Sequence, residues 1–286
     1  MIHDTTTLPP PLISAALSPW RILPDPAGSP VALGQFNPSA RPFSHGSKSR
    51  DIEATQEMAH EIDQLQNLLY ADRRMKLLVV LQGTDTSGKD GTLRGVFNRT
   101  TPLGVLAVGF TAPTPEELAH DFLWRVHQRV PRQGEIVIFN RSHYEDVLVP
   151  VVKGWLTPAQ TAQRMAQINA FEQLLSESGT VILKFLLHIS ADEQAERLQA
   201  RLVDPTKQWK FSVDDLQART KWPAYQMAYG ALLGATSTQH APWTVVPANS
   251  KTHRNLMVAT IVRDTLARMG LRYTAMDPAL AGVRVV

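Results

Sequence analysis

One stretch restricts this chain more than any other. Lys76-Leu-Leu-Val-Val-Leu-Gln82 runs without a polar break into Gly83-Thr-Asp-Thr-Ser-Gly88-Lys89-Asp90. A run that is apolar on both of its faces must be covered on both, which is the situation of a strand inside a parallel sheet. The remainder of the chain supplies such a sheet and its cover. Further strands are predicted at 105–108, 135–139, 181–188 and 243–246, with helical patterns between them. Thr114-Pro-Glu-Glu117 and Thr157-Pro-Ala-Gln160 each place an N-cap Thr, a Pro at the first helical position and an acid or amide at the third, and Ser190 with Glu193 caps another helix. Helices are also predicted from Asp51, where Ile52, Met58, Ile62, Leu65 and Leu69 recur, and over 251–269. Strands alternating with helices give an α/β fold of three layers, α/β/α, around a parallel five-stranded sheet.

Nine of the 20 prolines fall in residues 1–50, in pieces such as Leu8-Pro-Pro-Pro-Leu12 and Leu23-Pro-Asp-Pro26. Regular structure is excluded there, and an extended N-terminal arm, a tail or packing strap, is expected. The globular domain is then 51–275 and the C-terminal tail 276–286. The chain has no Cys, so disulfides, thiolate metal sites and a Cys nucleophile are ruled out and the reducing cytoplasm is the expected compartment. No Lys or Arg precedes Arg21 and Pro9, Pro10 and Pro11 interrupt the stretch behind them, so no signal peptide is expected, and no apolar run has the roughly 18 residues of a membrane span. Lys and Arg exceed Asp and Glu by 29 to 26, too small a margin to require nucleic acid as a partner.

The loop after the first strand fits G-x-x-x-x-G-K but lacks the Ser or Thr that completes a Walker A loop. Its physics holds without that residue. Gly83 and Gly88 let the backbone through Thr86 and Ser87 curl so that amides and a helix N-terminus face an anion, and Lys89 neutralises phosphate oxygens. Mg²⁺ then needs another hard oxygen ligand, from Asp85 inside the loop or Asp90 at the vacant position, and Asp85 is favoured because it points from the loop. Strand 135–139 ends in Phe139-Asn140-Arg141-Ser142-His143-Tyr144-Glu145-Asp146, which a doubly wound sheet brings beside that loop. Asn140 stands where a Walker B Asp is expected, and Arg141 suits bidentate phosphate binding. Tyr144, Glu145 and Asp146 are further site candidates, and His143 reads as a satisfied loop histidine. Between Arg197 and Trp222 six basic residues share space with two Trp and a Pro-broken helix end, a combination that suits a lid closing over a polyanion.

Together with Asp204-Pro-Thr-Lys-Gln-Trp-Lys-Phe-Ser212, Trp222-Pro-Ala-Tyr225, Thr236-Ser-Thr-Gln-His-Ala-Pro-Trp243, Pro247-Ala-Asn-Ser-Lys251 and Arg254, these segments resemble the polyphosphate kinase 2 family over about residues 50 to 270. The resemblance implies a P-loop kinase-like core with a helical lid at about 197–222. It also implies Mg²⁺-dependent, or Mn²⁺-supported, phosphoryl transfer between inorganic polyphosphate and an adenine or guanine nucleoside mono- or diphosphate, in a homo-oligomer. Asp85 and Lys89 match the family's loop carboxylate and lysine, Arg141 its strand-end arginine, and Arg197, Arg201, Lys207 and Lys210 its lid cations. Asn140 departs from the Asp found in part of the family, and with Glu145-Asp146 it looks like the branch that accepts both mono- and diphosphates. On this reading Asp85 and Asn140 face the metal, and polyphosphate lies along Lys89, Arg94 and the lid cations. An ATP-dependent kinase of a small metabolite and a non-catalytic polyanion-binding protein are the competing readings.

Overall fold

In the computed structural model, which describes residues 18–273 and 283–284, a single sheet organises the chain. Its strands are β1 Lys76–Gln82, β2 Val105–Gly109, β3 Ile136–Asn140, β4 Thr180–His188 and β5 Trp243–Pro247, in the order β2-β3-β1-β4-β5. All neighbours are parallel, with Leu81 opposite Asn140 on one side of β1 and Gln82 opposite Leu186 on the other. The expected five-stranded parallel sheet is therefore present, and the carboxyl ends of β1 and β3 lie side by side.

The helices are α1 Lys48–Asp72, α2 Lys89–Val96, α3 Pro115–Leu118, α4 Trp124–His127, α5 Glu145–Lys153, α6 Pro158–Glu177, α7 Ala191–Val203, α8 Val213–Thr220, α9 Trp222–Thr236 and α10 Lys251–Arg268. α1, α2 and α10 cover one face of the sheet over a core that includes Leu77, Val79, Leu81, Phe185 and Met257. α5, α6 and α9 cover the other over Leu78, Val80, Phe139, Ile168 and Trp243. Both Thr capping boxes form, at Thr114–Glu117 and Thr157–Gln160. The first carries only the single turn of α3.

Two elements differ from the sequence expectation. α1 starts three residues before Asp51, at an N-cap Ser47 whose hydroxyl accepts from the Arg50 amide. Its first turn buries Asp51 while Ile52 is exposed, because Ser44 Oγ and the His45 amide donate to the Asp51 carboxylate at 2.8–3.0 Å and fold the preceding chain onto it. α5 contains Pro150, which hides it from pattern reading. The hydrogen bond that Pro150 cannot donate would have gone to the Asp146 carbonyl, and Arg164 Nη1 satisfies that carbonyl at 2.5 Å.

The first 17 residues of the expected arm, and all of the tail at 276–286 except 283–284, lie outside the described residues. From residue 18 the arm is a strap along β5 and α9. Ile22 donates its amide to the Trp243 carbonyl, Val31 to the Gly230 carbonyl, and Ile22, Leu33 and Phe36 are buried.

Beneath the end of β3 lies a buried ionic cluster. Lys184 of β4 donates to Glu172 Oε2 at 2.6 Å, to the Thr236 carbonyl at 2.7 Å and to the Tyr144 hydroxyl at 2.8 Å, so all three ammonium protons are used. Tyr144 Oη donates to Glu172 Oε1, which His143 Nε2 also approaches at 3.2 Å. Burial opposes the Glu172 charge, but Lys184 and His143 outweigh it and hold the carboxyl at about 2. Lys184→Met takes from that buried carboxylate its ammonium partner, so denaturant unfolding at pH 7 is expected to show a loss of about 3–5 kcal/mol, much of it recovered in Lys184→Met/Glu172→Leu. Because the folded pKa of Glu172 is depressed, its contribution is present above about pH 4.5 and lost as pH falls toward 2; acid titration of the double variant should lack that component.

Candidate active site

The chain leaving β1 reverses over six residues to start α2. Gly83 (φ 146°) and Gly88 (φ 105°) take up backbone angles closed to other residues, and a β-carbon on Gly83 would stand 2.7 Å from both the Leu187 carbonyl and Ser87 Oγ. Thr86 is also left-handed, at φ 66°. The turn leaves six consecutive carbonyls to be satisfied, and each is. Lys89 Nζ donates to Gly83 at 2.7 Å and Thr84 at 3.3 Å, and Gln194 Nε2 to Asp85 at 3.2 Å. Arg197 Nη1 donates to Thr86 and Ser87 at 2.9 and 3.1 Å, and Thr92 closes on Gly88 through its amide and hydroxyl. With the carbonyls engaged from behind, the amides are free to face outward. Among the amides of Thr84 through Gly88, only that of Ser87 donates to an acceptor among the described residues. That is an anion-binding arrangement.

Lys89 is 8% exposed, and burial, with the charge of Arg141 added, lowers its pKa to about 8. In front of it Arg141 Nη2 binds Asp85 Oδ1 at 2.5 Å, and Nη1 lies 3.6 Å from Glu145 Oε2. Arg141 itself has φ 62°, a strained angle for a residue with a side chain, enforced where β3 ends and its amide donates to the Leu81 carbonyl. Burial raises the pKa of Glu145 despite Arg141 and Lys89. Asp90 accepts from Asn140 Nδ2 at 2.8 Å and from Lys210 Nζ at 2.7 Å, and the Lys210 bond leads the causes that hold its carboxyl low.

Among the described residues no three His, Cys, Asp or Glu side chains are grouped to hold a metal ion by themselves. The donor set fits Mg²⁺ bound chiefly through phosphate: Asp85 has one oxygen not engaged by Arg141, and Asn140, whose amide nitrogen turns to Asp90, offers a neutral oxygen.

The structure brings Gly83, Asp85, Thr86, Ser87, Gly88, Lys89, Asp90, Asn140, Arg141 and Glu145 together, with Lys210 reaching Asp90. Arg201 lies near, donating to the Lys210 carbonyl at 3.2 Å and 3.6 Å from Asp215. Lys207 is exposed and paired with Asp204, and Arg94 is exposed on α2. Two expectations are corrected. Arg197 is no cation of the cleft: its five donors reach Glu193 and the carbonyls of Thr86, Ser87, Ala248 and Asn249, so it props the loop from behind. Tyr144 is fully buried in the Glu172–Lys184 cluster and cannot reach substrate. His143 is buried with Nε2 3.2 Å from Glu172 Oε1, while its Nδ1 has no hydrogen-bond partner among the described residues, so the expectation of a satisfied histidine is met at one ring nitrogen only. Asp146 faces a different neighbour, Arg125, at 2.9 Å.

Arg125 opens a region that sequence reading missed. A cleft of about 1150 Å³ extends from the loop across the ends of β2 and β3, between α3–α6 and α8–α9, lined by Phe110, Arg125, Trp155, Arg164 and Tyr225 among others. The Arg125 guanidinium lies 5.5 Å from the Phe110 ring centre. These residues sit on three helices and two loops with no shared motif; the only signal was that Phe110 follows β2 directly. The cleft and the small pocket at the mouth of the Gly83 loop share Asp85, Arg141, Glu145 and Tyr225.

Comparison with known proteins agrees with this geometry. The family model described as Polyphosphate kinase 2 (PPK2) matches residues 45–273. An AMP/ADP-polyphosphate phosphotransferase from Meiothermus ruber is 48% identical over 268 residues, covering 93% of this chain and 98% of the relative. An ADP-polyphosphate phosphotransferase from Rhodopseudomonas palustris is 36% identical over 264 residues, 88% of this chain and 91% of the relative. The crystal structure of polyphosphate kinase 2 from Arthrobacter aurescens TC1 superposes with a TM-score of 0.87 at 38% identity, covering 95% of this chain and 97% of that one. At Gly88, where any β-carbon would stand 1.7 Å from Arg254 Nη1, Gly88→Ala is expected to weaken tripolyphosphate binding by about a hundredfold in calorimetric titration while lowering the melting temperature by only a few degrees.

Proposed function

The chain belongs to the polyphosphate kinase 2 family, and from that premise we propose that it moves the terminal phosphoryl group of inorganic polyphosphate onto a nucleoside mono- or diphosphate, through the loop and cleft described above. The carrying observation is that the two cavities meet at Asp85, Arg141 and Glu145. A donor phosphate seated on the loop amides and Lys89 therefore abuts an acceptor phosphate entering from the cleft, with Arg141 between them. The terminal P–O–P bond of the polymer breaks, a new P–O–P bond forms on the acceptor, and the shortened polymer leaves with its negative charge. The acceptor phosphate is already anionic at neutral pH, so no general base is needed and catalysis consists of alignment and charge neutralisation.

Mg²⁺, with Mn²⁺ a fitting substitute, would be held by Asp85, by the Asn140 oxygen and by phosphate oxygens, supplying neutralisation of both reacting groups. The aromatic and cationic walls of the cleft, Phe110 with Arg125 and Phe122 with Arg164, suit an adenine or guanine nucleotide. Residues 197–222 act as the lid. Its contact with the loop, Lys210 to the half-exposed Asp90, is a surface pair worth under about 1 kcal/mol, weak enough for a phosphate to take the place of Asp90. The absence of Cys supports a cytoplasmic setting, and the exposed Leu103 and Leu106 at the free edge of the sheet support a homo-oligomer. No helix among the described residues is long and apolar enough to cross a membrane.

Phosphorus NMR of the purified chain with Mg²⁺, polyphosphate as sole donor and AMP, ADP or GDP is expected to show nucleotide phosphorylation. Transfer from ATP to a small metabolite without use of polyphosphate would identify a metabolite kinase instead, and salt-sensitive binding without turnover a polyanion-binding protein. Lys89→Ala is expected to lower kcat/KM for polyphosphate by about 10²–10³-fold without unfolding the chain. The Lys89 ammonium is charged below about pH 8 and neutral above it, so kcat/KM for polyphosphate should decline as pH rises through that value; in Lys89→Arg the decline should move upward by more than one pH unit.

A further inference from the structure

Behind the Gly83 loop sits a cation that the reaction as described does not use. Arg254, in the first turn of α10, is 3% exposed. Its guanidinium fills the space that β-carbons at Gly88 and Gly91 would occupy, Nη1 at 1.7 Å from the first and Nη2 at 2.9 Å from the second. Nη1 donates to the Ser87 carbonyl at 3.3 Å, and Nε and Nη2 donate to the side-chain oxygen of Asn255 at 3.1 and 2.8 Å. None of these acceptors carries charge. Arg197, which shares the Ser87 carbonyl, is by contrast paired with Glu193 at 2.7 Å. Burial, reinforced by Arg197, lowers the pKa of Arg254 to about 9. A buried guanidinium without a carboxylate is unfavourable in isolation and makes sense where an anion arrives close by.

We infer that Arg254 is a positioning residue for the polymer: it wedges under Gly88 to keep the Ser87 carbonyl off the cleft, and its charge is balanced by bound polyphosphate rather than by an acid of the chain. The inference rests on the loop being the polyphosphate site. Its two parts, a hydrogen bond from the fork and a charge felt through the loop, are separated by two substitutions. Arg254→Lys keeps the charge and loses the fork, whereas Arg254→Met keeps bulk and loses both.

The experiment measures KM for polyphosphate, kcat at saturating ADP, and melting temperature with and without tripolyphosphate. Wild-type protein is assayed first, since a wild type that cannot use polyphosphate overturns the functional reading and not this assignment. In Arg254→Met the expected result is a KM raised about tenfold or more with kcat at saturation within about threefold of wild type. Its melting temperature without ligand should be no lower than wild type, because an uncompensated charge has been removed, and tripolyphosphate should stabilise it less. In Arg254→Lys the rise in KM should be smaller. An unchanged KM in Arg254→Met, or a kcat that falls as far as KM rises, overturns the assignment and marks Arg254 as a packing residue. If Arg254→Met does not fold, Arg254→Lys decides: a KM about threefold or more above wild type at constant kcat sustains it, and an unchanged KM overturns it.

Discussion

Everything at this site depends on where six carbonyl oxygens point. A backbone that curls around an anion must present its N–H groups inward, and each peptide that does so turns its C=O outward into protein, where it needs a donor. Here the donors come from three helices: Lys89 and Thr92 from the helix that the loop starts, Gln194 and Arg197 from α7, and Arg254 from α10. The loop is thus held by elements that follow β4 and β5, well over a hundred residues downstream. It cannot assemble before the sheet does.

The sheet order supplies that condition. β1 is the central strand, flanked by β3 and β4, so the end of β1 meets the ends of both at once. From the β3 side come Asn140, Arg141 and Glu145; from the β4 side come α7 and its props. The Glu172–Lys184 cluster lies directly under this junction, tying the turn after β3 to β4 and to the end of α9 through Tyr144, Lys184 and the Thr236 carbonyl. A buried pair of this kind contributes little net stability over an apolar core. What it supplies is a fixed turn, and the left-handed angle of Arg141 needs one.

The sheet, its parallel sense, the three capped helices and the residues at the ends of β1 and β3 were legible because each rests on local chemistry: an apolar run, a Thr-Pro cap, a Gly with no room for a side chain. Legibility failed where the deciding partner is distant. Arg197 and Lys210 look alike as basic residues of one segment, yet the first is spent on carbonyls behind the loop and only the second reaches Asp90, at the start of α2. Tyr144 sits among site residues in sequence, but at the N-cap of α5 its side chain is buried against Glu172 and Lys184, partners 28 and 40 residues downstream. α5 was hidden by Pro150, whose missing hydrogen bond is replaced by an arginine on the next helix. The cleft walls, with Arg125 and Arg164 on different helices, had no pattern to find.

Cations at this site are costly where they stand. Lys89 and Arg254 are buried with lowered pKa, and Arg141 holds an angle that few non-glycine residues adopt. The net charge of +3 gives no hint of this, because it counts surface pairs that cancel and says nothing about burial. In a low-dielectric setting a charge repels its like and attracts its opposite several times more strongly than in water. The same burial that makes these cations unfavourable in the free protein therefore strengthens their hold on a phosphate chain. It also leaves less solvent to reorganise when charge shifts between donor and acceptor. Stability given up at the loop has to be recovered elsewhere. The dry cores on both faces of the sheet, with β1 and β5 buried almost end to end, are where the fold can recover it.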